Sequence, residues 1–110
     1  MSFTFKERKI STDAEGFLSD RNEWSEELMR YMAQKDGLQL TQAHLLVIRT
    51  VREYYEEYAT TPAMRMLIAI LKKKGHPELA SSMELAKLFP QGAAKSAARY
   101  AGLPKPVKCI

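Results

Sequence analysis

The residue with the clearest chemical potential is Cys109, the only cysteine of the 110-residue chain and its penultimate residue. The thiolate is the nucleophile of sulfur chemistry, and an ordinary thiol with a pKa of about 8.5 supplies some thiolate at neutral pH. A lone cysteine is usually a small buried hydrophobe, but residues 104–110 include two prolines and two lysines and are too polar for a core. We therefore expect Cys109 to lie on a C-terminal arm, defined here as residues 104–110.

Two lysines, Lys105 and Lys108, accompany this cysteine on the arm. Both should favour its thiolate, whereas the terminal carboxylate on Ile110 should oppose it by like-charge repulsion, so the net direction stays open. Both lysines are also candidate contacts for a partner. Seven residues run from Leu103 to Cys109. Because proline-rich chain extends about 3.1 Å per residue, the thiol can project roughly 20 Å from a folded domain.

No other residues form a self-contained catalytic or metal-binding pattern. His44 and His76 have no cysteine or second histidine at metal-ligand spacing, and no glycine-rich phosphate loop occurs. The sequence therefore predicts neither a metal nor a cofactor. Arg65 is the one charge inside an apolar stretch, so it is either a structural residue whose charged end reaches solvent or part of a site, and the structural alternative is favoured. It is retained as a candidate partner contact.

Charge and hydropathy narrow the classes of function. The 17 basic and 13 acidic residues give a net charge of +4, and the two signs are interleaved along most of the chain. Nucleic-acid binders usually concentrate their cations on one face, so this bias permits weak attraction to tRNA or to an acidic protein without demonstrating either. We find neither a secretory signal nor a stretch of ~20 apolar residues. With one unpaired thiol, these features favour a cytoplasmic protein.

The first part of the chain predicts a hairpin followed by a helix. Within residues 3–17, apolar residues flank a turn-like cluster at 12–16, which is typical of a short β-hairpin. The helix should begin near Asp20 or Asn22, because either side chain can cap it, and Gly37 should end it.

Two further helices are predicted in the middle of the chain. Thr41 should cap the second helix, which is clearly amphipathic. Thr61 and Pro62 indicate the start of a third helix. Because residues 64–71 are apolar nearly all round, we expect this helix to be central and buried.

The last third of the chain predicts two more helices and the end of the domain. A short fourth helix should occupy about 82–89, and small residues over 92–101 should let a fifth helix approach its neighbours closely, with Gly102 as its C-cap. The fold class is therefore mainly α: a compact bundle of about five helices with a small N-terminal hairpin. A single domain, 1–103, should precede the flexible C-terminal arm.

Several segments along the whole chain resemble the TusE/DsrC family. The terminal motif is highly specific, whereas the helical patterns alone would not be. The segments are Trp24-Ser25-Glu26, the run from Thr60 to Leu67, Leu88-Phe89-Pro90, and the run from Ala101 to Ile110.

This resemblance implies a role for Cys109, because the penultimate cysteine is the sulfur carrier of that family. In the branch that works with dissimilatory sulfite reductase, a second cysteine lies ten residues earlier, where this sequence has Arg99. The departure favours the single-cysteine, TusE-like branch, and Arg99 becomes a candidate partner contact. The resemblance further implies that Cys109 accepts persulfide sulfur from a TusBCD-like complex. Cys109 then passes it to an MnmA-like enzyme for 2-thiolation of the wobble uridine of tRNA, with ATP handled by that enzyme.

Two other functions remain open at this point. A single-cysteine DsrC-like carrier or regulatory protein of sulfur metabolism would share the same thiol. A helix-turn-helix DNA-binding module would use the second and third helices, joined near 59–61. The third helix is poorly suited to reading bases, because it presents apolar residues where polar ones would be needed.

Overall fold

The computed structural model describes residues 1–106, and it begins with a two-stranded antiparallel sheet. Strands β1 (Ser2–Phe5) and β2 (Arg8–Ser11) pair so that Phe3 lies opposite Ile10. Ile10 is fully buried, and the rings of Phe3 and Phe5 lie within 5.8 and 5.2 Å of the Tyr31 ring, measured between centroids. A two-stranded sheet is marginal alone, so packing on the helices stabilises it.

The predicted hairpin is confirmed, but its turn lies elsewhere. Lys6 and Glu7 connect the strands with φ angles of 49° and 65°, as both central residues of a type I′ turn require. Neither residue is the glycine or asparagine that usually signals such a turn. The cluster at 12–16 forms a second turn, in which the Asp13 carboxylate accepts the Phe17 N–H at 3.0 Å.

Five α-helices follow. A 3₁₀ turn at Arg21–Glu23 precedes the first of them, and another at Pro77–Leu79 precedes the fourth. The helices are α1 (Glu26–Lys35), α2 (Gln42–Tyr58), α3 (Met64–Lys73), α4 (Ser82–Leu88) and α5 (Ala93–Tyr100).

Side-chain caps fix the starts of three helices. Ser25, Thr41 and Ser81 each accept a backbone N–H from the first turn of α1, α2 and α4, which removes an orphan donor. The predicted cap at Thr41 is confirmed. Asp20, predicted to cap the first helix, caps the 3₁₀ turn instead, and α1 starts three residues later than a cap at Asn22 would place it, after Ser25. His44 completes a capping box on α2 and bonds the Leu88 carbonyl at 2.7 Å.

The central helix is α5, not α3. Five of its eight residues are buried, and it contacts α1, α2, α3 and α4. Its alanines let these neighbours approach, as the sequence predicted for this helix. By contrast, Leu67 and Leu71 are the buried residues of α3, whereas Met66 is 46% exposed. The prediction of a buried third helix was wrong because α5 occupies the centre and leaves α3 only one buried stripe.

The predicted fold class is confirmed: residues 1–106 contain five α-helices and an N-terminal hairpin around one hydrophobic core. The radius of gyration of 13.4 Å is that of a compact domain of this size. In the described part of the chain, no helix has both the length and the apolarity needed to cross a membrane.

The hairpin turn offers a test of backbone strain. Glu7 adopts a positive φ that an L side chain disfavours, so Glu7→Gly should stabilise the protein by about 1 kcal/mol. The midpoint of thermal unfolding should rise by roughly 4–8 °C. Lys9→Gly, within β2, is the control and should lower the midpoint, because glycine weakens a strand interior. A lower midpoint for Glu7→Gly would contradict the assigned turn.

Candidate functional site

The sequence-predicted sulfur carrier, Cys109, lies outside the described residues, as does Lys108. The structure does describe the first three residues of the C-terminal arm, 104–106, and the surface from which they depart. This surface is formed by the end of α5, the α2–α3 connection and the turn at 12–16. These elements determine where the rest of the arm begins.

The end of α5 is closed by glycine in close contact with an indole ring. Gly102 has a φ of 74°, and the Leu103 N–H donates to the Ala98 carbonyl at 3.0 Å, as in a Schellman motif. A Cβ atom at Gly102 would lie 2.5 Å from Trp24 Cδ1. Only glycine therefore fits both the backbone conformation and the space. Gly102 ends α5 as predicted, but it lies one position after the C-cap residue Ala101, and its contact with Trp24 is an addition.

Two side chains hold the last carbonyls of α5. Trp24 donates its indole N–H to the Tyr100 carbonyl at 2.7 Å, and Arg52 donates from Nη1 to the Ala101 carbonyl at 2.7 Å. The Arg52 guanidinium also stacks 3.7 Å from the Trp24 ring centroid. Burial lowers the pKa of Arg52, while nearby Glu56 opposes this effect. A cation and an N–H donor at a helix C-terminus satisfy carbonyls that otherwise lack partners.

The first residues of the arm are bound to the domain. The buried Thr61 hydroxyl donates to the Pro104 carbonyl at 2.9 Å, and Pro106 is itself buried. The boundary between a domain at 1–103 and a mobile arm therefore remains a prediction. The rest of the arm, residues 107–110, lies outside the described residues. Within the described part, contact with the domain extends to Pro106.

Lys105 is tied to the turn at 12–16 through Glu15. Its Nζ lies 2.6 Å from Glu15 Oε1, and Lys95 on α5 pairs with the other oxygen of the same carboxylate. Hydrogen bonds from Lys105 and then Lys95 lower the pKa of Glu15 to about 2, and the Glu15 carboxylate raises the pKa of Lys105. The predicted partner contact Lys105 thus has an intramolecular partner in this structure.

Arg99, another candidate partner contact, joins α5 to the end of α1. Its guanidinium pairs with Asp36, whose carboxylate also accepts the Tyr100 hydroxyl at 2.8 Å. Burial, with this hydrogen bond adding to it, raises the pKa of Tyr100 to about 12. Arg99 lines a cleft of about 550 Å³ between α5 and the turn at 12–16, together with Glu15 and Lys95.

Arg65 lies apart from these residues. It occupies the exposed side of α3 and forms no ion pair with any of residues 1–106. The structure therefore links Lys105, through Glu15, to the cleft that Arg99 lines, and it places Arg65 on another helix. Within residues 1–106, no cluster of three or more His, Cys, Asp or Glu side chains is arranged to hold a metal ion.

Sequence reasoning missed the residues that fix the arm's origin. By its spacing alone, Arg52 belongs to the polar side of the amphipathic second helix, and Trp24 has the type and spacing of a core residue. Glu15 was one member of a turn-like cluster. Their partners lie 49, 76 and 90 positions away, so no local spacing could reveal them.

Comparison with known proteins assigns the class of the chain. The family model described as DsrC like protein matches residues 4–110. The chain belongs to this DsrC-like family, so the resemblance inferred from the sequence is confirmed. The chain is similar to the sulfurtransferase TusE of Pectobacterium atrosepticum, with 49% identity over 106 residues that cover 96% of this chain and 97% of the relative. The chain is also 47% identical to the sulfurtransferase TusE of Yersinia pestis, over 106 residues that cover 96% of this chain and 97% of that relative.

Solved structures agree with this assignment. The NMR structure of Allochromatium vinosum DsrC matches with a TM-score of 0.87 and 42% identity, and both chains are covered completely. The oxidized gamma-subunit of the dissimilatory sulfite reductase from Archaeoglobus fulgidus matches with a TM-score of 0.85 and 38% identity, again over all of both chains. Together, the sequence and structure matches support a sulfur-relay role.

Gly102 provides a test of the α5 terminus. Gly102→Ala should destabilise the protein by about 3 kcal/mol, because a positive φ and a collision with Trp24 act together. Gly75→Ala is the matched control: φ is 85° there, but the space is open. The control should lose only about 1 kcal/mol, the backbone contribution. Denaturant unfolding measures both, and equal losses would show that contact with Trp24 contributes nothing.

The Glu15 carboxylate gives a test of the ion pairs at the arm. Its folded-state pKa is about 2, below the ordinary glutamate value of 4.5, so the stabilising ion pairs are present above pH 4.5 and are lost as the pH falls towards 2. Carboxyl carbon NMR should show this low midpoint. In Lys105→Ala the midpoint should rise towards 4.5, while Lys87→Ala, which removes an ion pair with Glu84 on α4, should leave it unchanged. A wild-type midpoint near 4.5 would exclude the pairing in solution.

Proposed function

We propose that this protein is a sulfur-relay sulfurtransferase that carries sulfur as a persulfide on Cys109. It accepts the sulfur from a TusBCD-like complex and passes it to an MnmA-like enzyme for 2-thiolation of the wobble uridine in tRNA. The observation that carries the proposal is the match, over 96% of the chain, to proteins named sulfurtransferase TusE. Cys109 is the only thiol available for that chemistry.

The proposed reaction is thiolate attack on sulfane sulfur. The Cys109 thiolate attacks the outer sulfur of a donor persulfide, R–S–SH, and a new S–S bond forms to Cys109. The donor S–S bond breaks, and the donor thiolate leaves with the bonding electrons. The proton stays with the transferred sulfur, so no external oxidant or reductant is needed. Delivery repeats this exchange, with the Cys109 thiolate as the leaving group. The chain then needs no cofactor, and ATP is handled by the accepting enzyme.

The described contacts limit the reach of this thiol. Because Pro106 is buried, Cys109 comes only three positions after the last residue that the structure shows against the domain. Extended chain spans about 3.3–3.6 Å per residue, so the thiol can reach roughly 10 Å beyond Pro106. This is about half the reach that the whole arm would provide. A partner must therefore touch the domain itself, close to Pro106, before sulfur can be exchanged.

The thiol chemistry also bears on where in the cell the protein acts. A carrier thiol must stay reduced between exchanges, which favours a cytoplasmic location.

We propose that the partner proteins contact four basic residues, which are Lys105, Lys108, Arg65 and Arg99. Arg65 is exposed and unpaired among residues 1–106, so it can bind a partner without breaking an internal ion pair. Lys105 and Arg99 would first have to leave Glu15 and Asp36.

A second candidate is a single-cysteine DsrC-like carrier or regulator of sulfur metabolism. The similarity to the Allochromatium vinosum DsrC structure, at 42% identity, favours it. The two functions differ in the acceptor rather than in the chemistry of Cys109. Measuring 2-thiouridine in tRNA distinguishes them, because only the first requires this product. The matches give no support to a helix-turn-helix DNA-binding module.

Cys109→Ser tests the sulfur-carrier role directly. The variant should lose all transfer of labelled sulfur to tRNA, because a hydroxyl cannot form a persulfide. Mass spectrometry should find a gain of about 32 Da on the wild-type C-terminal peptide and none on the variant. The circular dichroism spectrum and thermal midpoint serve as the folding control and should be unchanged. Thiolation of tRNA by Cys109→Ser would refute the proposal.

A further inference from the structure

Thr61, in the α2–α3 connection, uses its hydroxyl group to hold the arm rather than to cap a helix. The sequence favours a third helix that starts at Thr61 and Pro62. In the structure, α3 begins at Met64, and its N-cap residue, Ala63, forms no side-chain hydrogen bond. The Thr61 hydroxyl donates instead to the carbonyl of Pro104, the first residue of the arm, at 2.9 Å.

The donor of this hydrogen bond is buried. Thr61 is only 8% exposed. Among residues 1–106, its hydroxyl is the only group that donates a hydrogen bond to the backbone of residues 104–106. A buried hydroxyl that lost its acceptor would be left unpaired, which costs free energy. The contact therefore favours a conformation in which Pro104 stays on the domain.

The other polar contact of the arm is of a different kind. In the ion pair between Lys105 and Glu15, the two side chains are 51% and 38% exposed. Exposed ion pairs contribute little and are screened by salt, and a charged group on a partner protein can replace either side. The uncharged contact at Thr61 does not depend on salt or on the charge of a partner. Thr61 is therefore better suited to hold the arm while Lys105 exchanges its partner.

The two prolines of the arm carry this constraint towards the cysteine. Their rings lock φ near −65°, so residues 104 and 106 each keep one soft backbone dihedral instead of two. Lys105 is the only residue between them, and Pro106 is buried. A direction fixed at the Pro104 carbonyl is therefore preserved at Pro106, three positions before Cys109.

We propose that Thr61 is a positioning residue for sulfur transfer: its hydroxyl holds the base of the arm, so that Cys109 starts each exchange from a fixed point on the domain. This inference rests on the proposed function, because it assigns a further residue to that same reaction. Thr61 acts through Pro104 and not on the reacting sulfur atoms. Its loss should therefore slow the transfer without changing the chemistry of the thiol.

The size of the expected effect follows from the length of chain that is free to move. With the base held, three steps of chain lead from Pro106 to Cys109; with the base released, six steps lead from the buried Leu103. The entropic cost of bringing the end of a flexible chain to one place grows as (3/2)RT ln n. Doubling n therefore lowers the rate of productive contact by about threefold.

Isosteric variants of Thr61 test the role of its hydroxyl. Thr61→Val keeps the shape of the side chain but removes the donor, whereas Thr61→Ser keeps the donor. Thr50→Val is the matched control, because Thr50 is also buried and donates to the Leu46 carbonyl within its own helix. Mass spectrometry should follow the gain of sulfur by Cys109 from the sulfur-loaded TusBCD-like complex over a range of donor concentrations.

The variants should differ in maximal rate and not in affinity. Thr61→Val should lower the maximal rate of sulfur uptake by about threefold and leave the donor concentration for half-maximal rate unchanged. Thr61→Ser and Thr50→Val should behave like the wild type. All three should keep the wild-type circular dichroism spectrum.

Inorganic polysulfide provides a donor that needs no docking. It transfers one sulfane sulfur to the Cys109 thiolate and leaves as a chain one sulfur shorter. Because no partner surface has to be reached, Thr61→Val should gain sulfur from polysulfide at the wild-type rate. A difference between the two donors is a result that a merely structural role of Thr61 would not produce.

NMR relaxation tests the anchoring without any sulfur chemistry. Lys105 is the one backbone N–H probe within residues 104–106, since its neighbours are prolines. Its order parameter should lie near the ~0.85 of rigid backbone in the wild type and in Thr50→Val, and fall below about 0.6 in Thr61→Val. If wild-type Cys109 gains no sulfur from the donor, the proposed function fails, while this measurement still decides whether Thr61 holds the arm.

Three results would overturn the role of Thr61. The first is an equal maximal rate, or an equal order parameter of Lys105, in Thr61→Val and Thr50→Val. The second is a slower Thr61→Ser beside an unchanged Thr61→Val, which would assign the effect to packing and not to the hydroxyl. The third is an equal loss of rate with polysulfide, or a higher half-saturating donor concentration at unchanged maximal rate, which would make Thr61 a determinant of thiol reactivity or of docking.

Discussion

The architecture depends on how the C-terminal end of α5 is closed. A central helix that ends inside a domain presents carbonyl groups that must find donors. Here Trp24 and Arg52 provide them from two other parts of the chain, at 2.7 Å each. Gly102 makes this possible, since its lack of a Cβ lets the indole approach the backbone. Together these contacts join the end of α5 to α2 and to the segment before α1.

The closed helix end also determines where the chain goes next. Leu103 is buried immediately after Gly102, and the Thr61 hydroxyl then binds the following carbonyl. Glu15, in the turn at 12–16, pairs with Lys105. The origin of the arm is thus fixed by contacts with the α2–α3 connection and with the turn at 12–16. A carrier protein needs such a fixed origin if its thiol is to arrive reproducibly at a partner.

Local patterns predicted much of this structure, and non-local contacts explain what they missed. The sequence analysis found Thr41 as a helix cap and Gly102 as the residue that ends α5, because such signals act within a few residues of a helix end. The burial of α3 was predicted wrongly, since apolar composition does not reveal which helix occupies the centre. The turn at Lys6 and Glu7 was missed because positive φ angles are usually signalled by glycine or asparagine, and neither residue is present there. The chemistry of Cys109 was inferred from its position and family resemblance, whereas the anchoring of Pro104 and Lys105 depends on contacts between distant residues.

Anchoring at Pro106 also has a kinetic consequence. A thiol confined near a docked partner has an effective concentration set by the length of the tether, in the millimolar range for short flexible chains. When no partner is docked, the same short tether does not raise the concentration of the thiol near any other reactive sulfur. Under the proposed function, selectivity among the many thiols of a cell then follows from geometry, and the thiol needs no unusual reactivity. Lengthening the tether would weaken this discrimination even if every contact with the proper partner were preserved.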